Sequence, residues 1–320
     1  MEHITPDHME HVSCPLCGGD RNKKLFDAAD IKHGVSGRFS FVRCASCRLI
    51  FQNPRIKSEF RDLMYPRDYE PYHHGRGSVL DDPARLAATI PRYEILEKYC
   101  ARPGALLDVG SASGDFIEYA ASRGWDAWGV EPSAPQDAVP AGAAAGVFRS
   151  DLADADIPAS RFDAVTFWAS LEHMHDPLGA LQAAHRILKP RGVTILSLPN
   201  GDSLERRLFG PAWFGLDTPR HQILPSPAAA RAFLERAGFE ILDIKHATTA
   251  TCFVQSVRGL ASGNAAQKVP APEPPPHGPA RPSVKQSSAR ALLFSALSLS
   301  LKAVDALGMG ALMLVAARKK

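Results

Sequence analysis

From residue 104 onward the chain alternates short apolar runs with helical segments, and that alternation restricts the fold more than any other feature. Runs at 105–109, 125–130, 147–148, 162–168, 192–198 and 238–245 have the length and residue content of strands. Between them, 116–123, 134–145, 178–188 and 227–237 read as helices, with Pro135 and Pro140 interrupting the second. Strands alternating with helices specify βαβ units. The expected fold is therefore α/β, a Rossmann-like, doubly wound sheet with helices on both faces. With 320 residues, 45% of them hydrophobic, the chain has material for a large core and about two domains.

Ahead of that pattern lie two CxxC pairs, Cys14-Pro-Leu-Cys17 and Cys44-Ala-Ser-Cys47. Two thiolates three residues apart on a tight turn converge on one point, and two such knuckles supply the tetrahedral sulfur set that Zn2+ accepts. A redox CxxC is the rival reading, but it calls for a βαβ setting that this polar segment lacks. The segment between the knuckles alternates polar and apolar residues at 38–43, as a strand does. Residues 11–52 thus read as a zinc ribbon, with Zn2+ in a structural role. Cys100 and Cys252 are isolated and read as small buried hydrophobes.

Charge excludes one partner class. Lys and Arg total 37 against 34 acidic residues, a net charge of +3, with no basic run, so no nucleic-acid footprint is expected. The polar N-terminal segment contains no apolar secretory core, which makes the cytoplasm the expected location.

The segment Asp108-Val-Gly110-Ser-Ala-Ser-Gly114 joins an apolar strand to a helix start. Glycines there let backbone approach a ligand, and the helix N-terminus offers free N–H donors. A dinucleotide loop would need glycine at 112 and 115, where this chain has Ala112 and Asp115. The segment instead resembles motif I of the class I S-adenosylmethionine-dependent methyltransferases, with Ala112 replacing the middle glycine. Glu131 matches the acid that this family places on the ribose, and Asp151 with Leu152 the loop that meets adenine. Phe162-Asp-Ala-Val165 and Leu171-Glu-His173 resemble the strand-four motif, and 188–192 the turn into strand five. The resemblance implies S-adenosyl-L-methionine as cofactor, held by Asp108, Gly110, Ser111, Gly114, Glu131, Asp151, Leu152 and Trp168. It also implies a seven-stranded sheet whose last strand, 311–317, is antiparallel. The order of cysteine pairs, Asn-Pro and a Tyr-rich connector is similar to the subgroup with an N-terminal zinc-binding domain, whose relatives include C-methyltransferases of nucleotide-linked deoxysugars. Cys14, Cys17, Cys44 and Cys47 would be its metal ligands.

Methyl transfer to a carbon acid or hydroxyl requires removal of a proton. His221, in Asp217-Thr-Pro-Arg-His221, and His173, after the fourth strand, are the candidate bases. Arg220 is the candidate holder of an anionic acceptor group, the alternative being an anchor to Asp217. Glu172 reads as solvated or helix-capping, and His185 as structural. Tyr65, Tyr69 and Tyr72 form a candidate lid, while His73 and His74 have no metal partner. The expected acceptor is a small molecule or glycan precursor. The alternatives are O- or N-methylation of a lipid, quinone-like or peptide acceptor, or a non-catalytic zinc-ribbon binding protein with a degenerate domain.

The expected organisation is a zinc ribbon at 1–57, a connector at 58–100 and a methyltransferase core at 101–261. A Pro-rich linker at 262–289 and a C-terminal helix and strand at 290–320 complete it. The connector includes a helix over 85–100 interrupted near Pro91. Residues 291–317 are apolar, yet Lys302 and Asp305 oppose a membrane span. A helix at 291–307, packed on the protein or lying on a membrane surface, is expected instead.

Overall fold

The structure is a computed structural model that describes residues 4–66, 69, 77–133, 146–248, 250–261 and 301–320. The expectations for the helix at 134–145, the linker at 262–289, Tyr72, His73, His74 and the 291–300 part of the last helix lie outside these residues. Short N-terminal strands come first: β1 (Met9–Glu10), β2 (Asn22–Ala28), β3 (Phe39–Cys44), β4 (Ile50–Gln52) and β5 (Arg55–Ile56). β1 pairs with β5, and β2, β3 and β4 form an antiparallel meander. The long helix α1 (Pro83–Tyr99) follows, and then the strands and helices of the core.

The core strands are β6 (Ala105–Val109), β7 (Asp126–Val130), β8 (Gly146–Phe148), β9 (Phe162–Trp168) and β10 (Leu188–Pro199). After the two-residue β11 (Ile223–Leu224) come β12 (Phe239–Ala247) and β13 (Leu312–Lys319). Seven of them make one sheet in the order β8-β7-β6-β9-β10-β13-β12. All pairs are parallel except those of β13, which runs antiparallel to both β10 and β12. The strand order, with one antiparallel strand between two parallel neighbours, is the sheet that the resemblance to class I methyltransferases leads one to expect.

Successive residues of each central strand feed opposite faces. Leu106, Ala164 and Ile195 pack with α1 and α2 (Asp115–Ser122) through Tyr93, Leu96, Phe116 and Ile117. Leu107, Val165 and Leu196 pack on the other face with Leu181 of α3 (Pro177–Ile187) and Phe233 of α5 (Pro227–Arg236). Strands buried on both faces read as continuous apolar runs, which is why they were legible. Helix starts follow local chemistry. Asp82, Asp176 and Ser226 accept backbone N–H bonds at their helix N-termini, and a proline follows each. Two shorter-range helices, α4 (Leu204–Phe209) and α6 (Ala250–Ala261), flank the segment after β10.

One expectation needs correction. α1 is not interrupted at Pro91: the helix runs on through it, with Tyr93 and Leu96 buried against α2. Proline removes one N–H, and tertiary burial on both sides of it outweighs that loss. The cysteine meander extends beyond β4. β11 joins it as a fourth strand, Ile223 opposite Phe51 and Leu224 opposite Ile50. At the other end of the chain, residues 301–306 are helical, and Asp305 accepts from the Thr248 hydroxyl at 2.6 Å and its N–H at 3.1 Å. A fold contact thus accounts for that acid in an apolar segment. Among the described residues no helix is long and apolar enough to cross a membrane.

Candidate functional site

A cavity of about 1140 Å³ opens at the carboxyl ends of β6, β7 and β9, where the strand order reverses direction around β6. Doubly wound sheets bind their ligands at such a switch point. Every cofactor residue expected from the sequence except Gly114 lines this cavity. Gly110 has φ +79°, and a Cβ there would run into the side chain of Ser170, whose hydroxyl donates to Val109 O at 2.5 Å. Only glycine satisfies both conditions. Ala112, at the position of the family's middle glycine, is held at φ +46°, a left-handed conformation. Its N–H donates to Glu131 Oε2 at 3.0 Å, which ties the loop to the end of β7. Gly114, at φ +82°, begins α2.

The acids differ in setting. Asp108 is buried and accepts one hydrogen bond, from Thr166 Oγ1 at 2.7 Å. Burial pushes its carboxyl up to about 7, making it a favourable seat for a cationic group. Glu131 is also buried, with its Oε1 accepting from Ser133 N–H at 3.3 Å. Asp151 stands at the rim in a two-pronged ion pair with Arg61, at 2.7 and 2.6 Å. Trp168 lies edge-on to Phe116 with ring centroids 5.4 Å apart.

Glu172, His173 and His221 meet on the same cavity, with donor atoms within 4.8 Å of one another. The two imidazoles stand edge to face, centroids 4.8 Å apart, and Tyr65 Oη lies 3.4 Å from His173 Nδ1. His221 Nε2 lies 3.7 Å from Glu172 Oε1 and 3.8 Å from Asp217 Oδ2. Burial drives the His173 imidazole down to about 4 and that of His221 well below its ordinary value, so both are neutral around pH 7. Glu172 is not solvated, contrary to its reading from sequence. It is 1% exposed, and burial pushes its carboxyl up to about 8. Nothing in a Leu-Glu-His triplet announces that the glutamate turns inward.

Arg220 does not face the cavity as an anion holder. It is fully buried, donating to both Asp30 carboxylate oxygens at 2.9 and 3.0 Å, to Asp217 at 2.8 Å and to the Met64 carbonyl. The alternative reading, an anchor for the loop, describes it. Asp217 is thereby held well below the usual carboxylate range: burial pulls it up, but Arg220 and Lys32 outweigh that.

At the N-terminus the four sulfurs of Cys14, Cys17, Cys44 and Cys47 converge, with Cys14–Cys47 at 3.4 Å and Cys17–Cys44 at 3.5 Å. A tetrahedron with Zn–S bonds of about 2.3 Å puts its sulfurs about 3.8 Å apart, so the set fits zinc after small adjustment. The two knuckles share one backbone pattern. Cys14 N–H donates to Gly19 O and Gly18 N–H to Cys14 O. Cys44 N–H donates to Leu49 O and Arg48 N–H to Cys44 O. Gly18 and Arg48, at the matching position, both have positive φ, +74° and +65°.

Sequence reasoning missed Arg61, Lys32 and the pair Arg85–Asp115. Arg85 clamps Asp115 at 3.0 and 2.6 Å beside the cofactor loop. Isolated arginines and lysines carry no local signal; only the fold brings them to the cavity. Tyr65 and Tyr69, read as lid candidates, do line it.

Comparison with known proteins gives a consistent picture. The ubiquinone biosynthesis O-methyltransferase of Alkalilimnicola ehrlichii is 36% identical over 112 residues, 30% of this chain and 41% of its own length. The chain thus matches less than half of that curated relative. Among solved structures, an S-adenosylmethionine-dependent methyltransferase from Mesorhizobium loti is 17% identical, with 75% of this chain and all of that one covered and a TM-score of 0.43. The 1,6-didemethyltoxoflavin-N1-methyltransferase of Burkholderia thailandensis is 16% identical over 93% and 99% of the two chains, TM-score 0.47. Phosphoethanolamine N-methyltransferase 2 of Haemonchus contortus is 15% identical over 88% and 64%, TM-score 0.48. The family model described as a methyltransferase domain matches residues 74–244, more than half of the sequence and all of the cavity's strands, and the chain belongs to that family.

Proposed function

We propose that the chain transfers a methyl group from S-adenosyl-L-methionine to a small-molecule acceptor, with a structural Zn2+ on its four N-terminal cysteines. One observation carries the reading: the acids that follow or end three different strands, Asp108, Glu131 and Asp151, open onto the same cavity as Glu172, His173 and His221. When bound, the cofactor supplies an electrophilic methyl on a cationic sulfur. In this reading Asp108 and the loop through Gly110, Ser111 and Gly114 hold its amino-acid end. Glu131 takes the ribose hydroxyls with lone pairs left over from its backbone bonds. Asp151, kept in place by Arg61, and Leu152 border the adenine, and Trp168 walls the methyl-donor end.

His221 would accept the proton that a hydroxyl or carbon-acid acceptor must give up on methylation. A neutral imidazole is ready for that step, and the Asp217 carboxylate, 3.8 Å from Nε2 and held ionised by Arg220 and Lys32, stands close enough to stabilise the imidazolium. His173 supports it from the cofactor side. The resemblance to enzymes with an N-terminal zinc domain makes nucleotide-linked deoxysugars the first acceptors to try. The name of the Alkalilimnicola relative supports a second class, hydroxylated quinone precursors.

Calorimetry tests the cofactor assignment. S-adenosylmethionine and its demethylated product should both bind, and Glu131→Ala should weaken binding by about 2 kcal/mol for two lost charge-assisted hydrogen bonds. Binding of NAD with none of the sulfonium cofactor overturns it. Tritiated methyl donor incubated with both acceptor classes identifies the substrate.

A further inference from the structure

We infer that the cysteine module serves the reaction by positioning His221, and that Gln52 is the residue through which it does so. The assignment rests on the proposed role of His221 as proton acceptor. β4 begins three residues after Cys47 and ends at Gln52, which is 0% exposed. The Gln52 side-chain amide donates to Pro219 O at 2.7 Å and to His221 O at 2.6 Å. Its backbone N–H donates to Gln222 O at 2.9 Å, and Gln222 N–H in turn donates to Glu172 O at 2.7 Å. The next two residues of that loop, Ile223 and Leu224, are β11 and pair with β4 itself. The loop carrying His221 is thus fastened to the strand leaving the second cysteine knuckle, and the same bonds reach the backbone of Glu172.

The chemistry of the contact is specific. Two carbonyl oxygens face one nitrogen, so the position needs a group with two N–H donors. Gln52 Oε1 is buried with no hydrogen-bond partner among the described residues. An orphaned buried acceptor costs free energy that an apolar side chain of the same shape would avoid. The amide is therefore poorly explained as packing and well explained as a clamp on 219–221. Gln52 touches neither cofactor nor acceptor in this arrangement. It is a positioning residue.

The test uses the full-length zinc-loaded protein labelled with 15N-histidine, the His221 signal being identified by its loss in His221→Asn. Gln52→Glu places a carboxylate oxygen against two carbonyls, and Gln52→Met keeps the shape while removing both donors. Both variants should shift the His221 ring signals, Gln52→Glu further, while the zinc content, the signal of exposed His11 and the affinity for S-adenosylhomocysteine stay as in the wild type. A variant with wild-type zinc and cofactor-product binding but unmoved His221 signals overturns the assignment. If Gln52→Glu does not fold, Gln52→Met decides; if neither folds, Gln52 is a folding residue and the assignment falls. Full turnover by His221→Ala, measured separately, would instead defeat the proton-acceptor reading, with the Gln52 result standing on its own.

Discussion

At the scale of single residues, the cavity keeps groups in protonation states that cost stability. Asp108 has its carboxyl pushed up to about 7 from 3.8 by burial. Folded protein therefore holds that proton more tightly than unfolded chain, so this group's contribution to stability falls as pH rises from about 4 to about 7, then levels off. Asp108→Asn should raise thermal stability at pH 8, by on the order of 1–3 kcal/mol, and hardly at all near pH 4. The same variant should lose cofactor affinity, because the counter-charge for a cationic ligand is gone. Thermal unfolding across pH and calorimetry read the two effects. His221→Ala should lower turnover by about 10²–10⁴ with cofactor affinity nearly constant, whereas His173→Ala should alter both. Full turnover in His221→Ala would leave the loop as a wall of the cavity.

At the scale of elements, legibility follows the range of the physics. The strands β6, β9 and β10 were readable because burial on two faces writes an apolar run into consecutive residues. The cofactor loop was readable because its conformation demands glycine at 110. β11 was not: two residues, Ile223 and Leu224, carry no period, and their partner lies far back in the cysteine meander. The inward turn of Glu172 and the commitment of Arg220 to Asp30 were equally silent, since both depend on contacts between distant segments. α1 shows the reverse case, where a strong local signal was overruled. Pro91 leaves one carbonyl in the helix without its N–H, a loss that packing absorbs. Pro91→Ala should then stabilise the protein by about 1–3 kcal/mol in denaturant titration. No gain would mean that the carbonyl already has another partner.

At the scale of the whole molecule, the four cysteines belong to the same apolar core as the sheet. Cys14 and Cys44 pack in one cluster with Leu107, Val165 and Phe233. Metal analysis of freshly purified protein should find one zinc per chain, and replacing all four cysteines by serine should destabilise the entire chain, with a single unfolding transition shifted down. Two separate transitions would show a module that folds by itself. The sheet has its own consequence for how the protein is made. Among the described residues β12 touches the sheet only through β13, and β13 is synthesised after every other described strand of the sheet. At translation rates of about 5–20 residues per second, β12 waits several seconds for its partner, and β10 keeps one edge bare for longer. During that interval the nascent protein carries an open apolar edge, the kind of surface that chaperones cover and aggregates exploit. Ribosome-bound chains stalled before residue 312 should therefore recruit holdase chaperones, and release them once β13 closes the sheet.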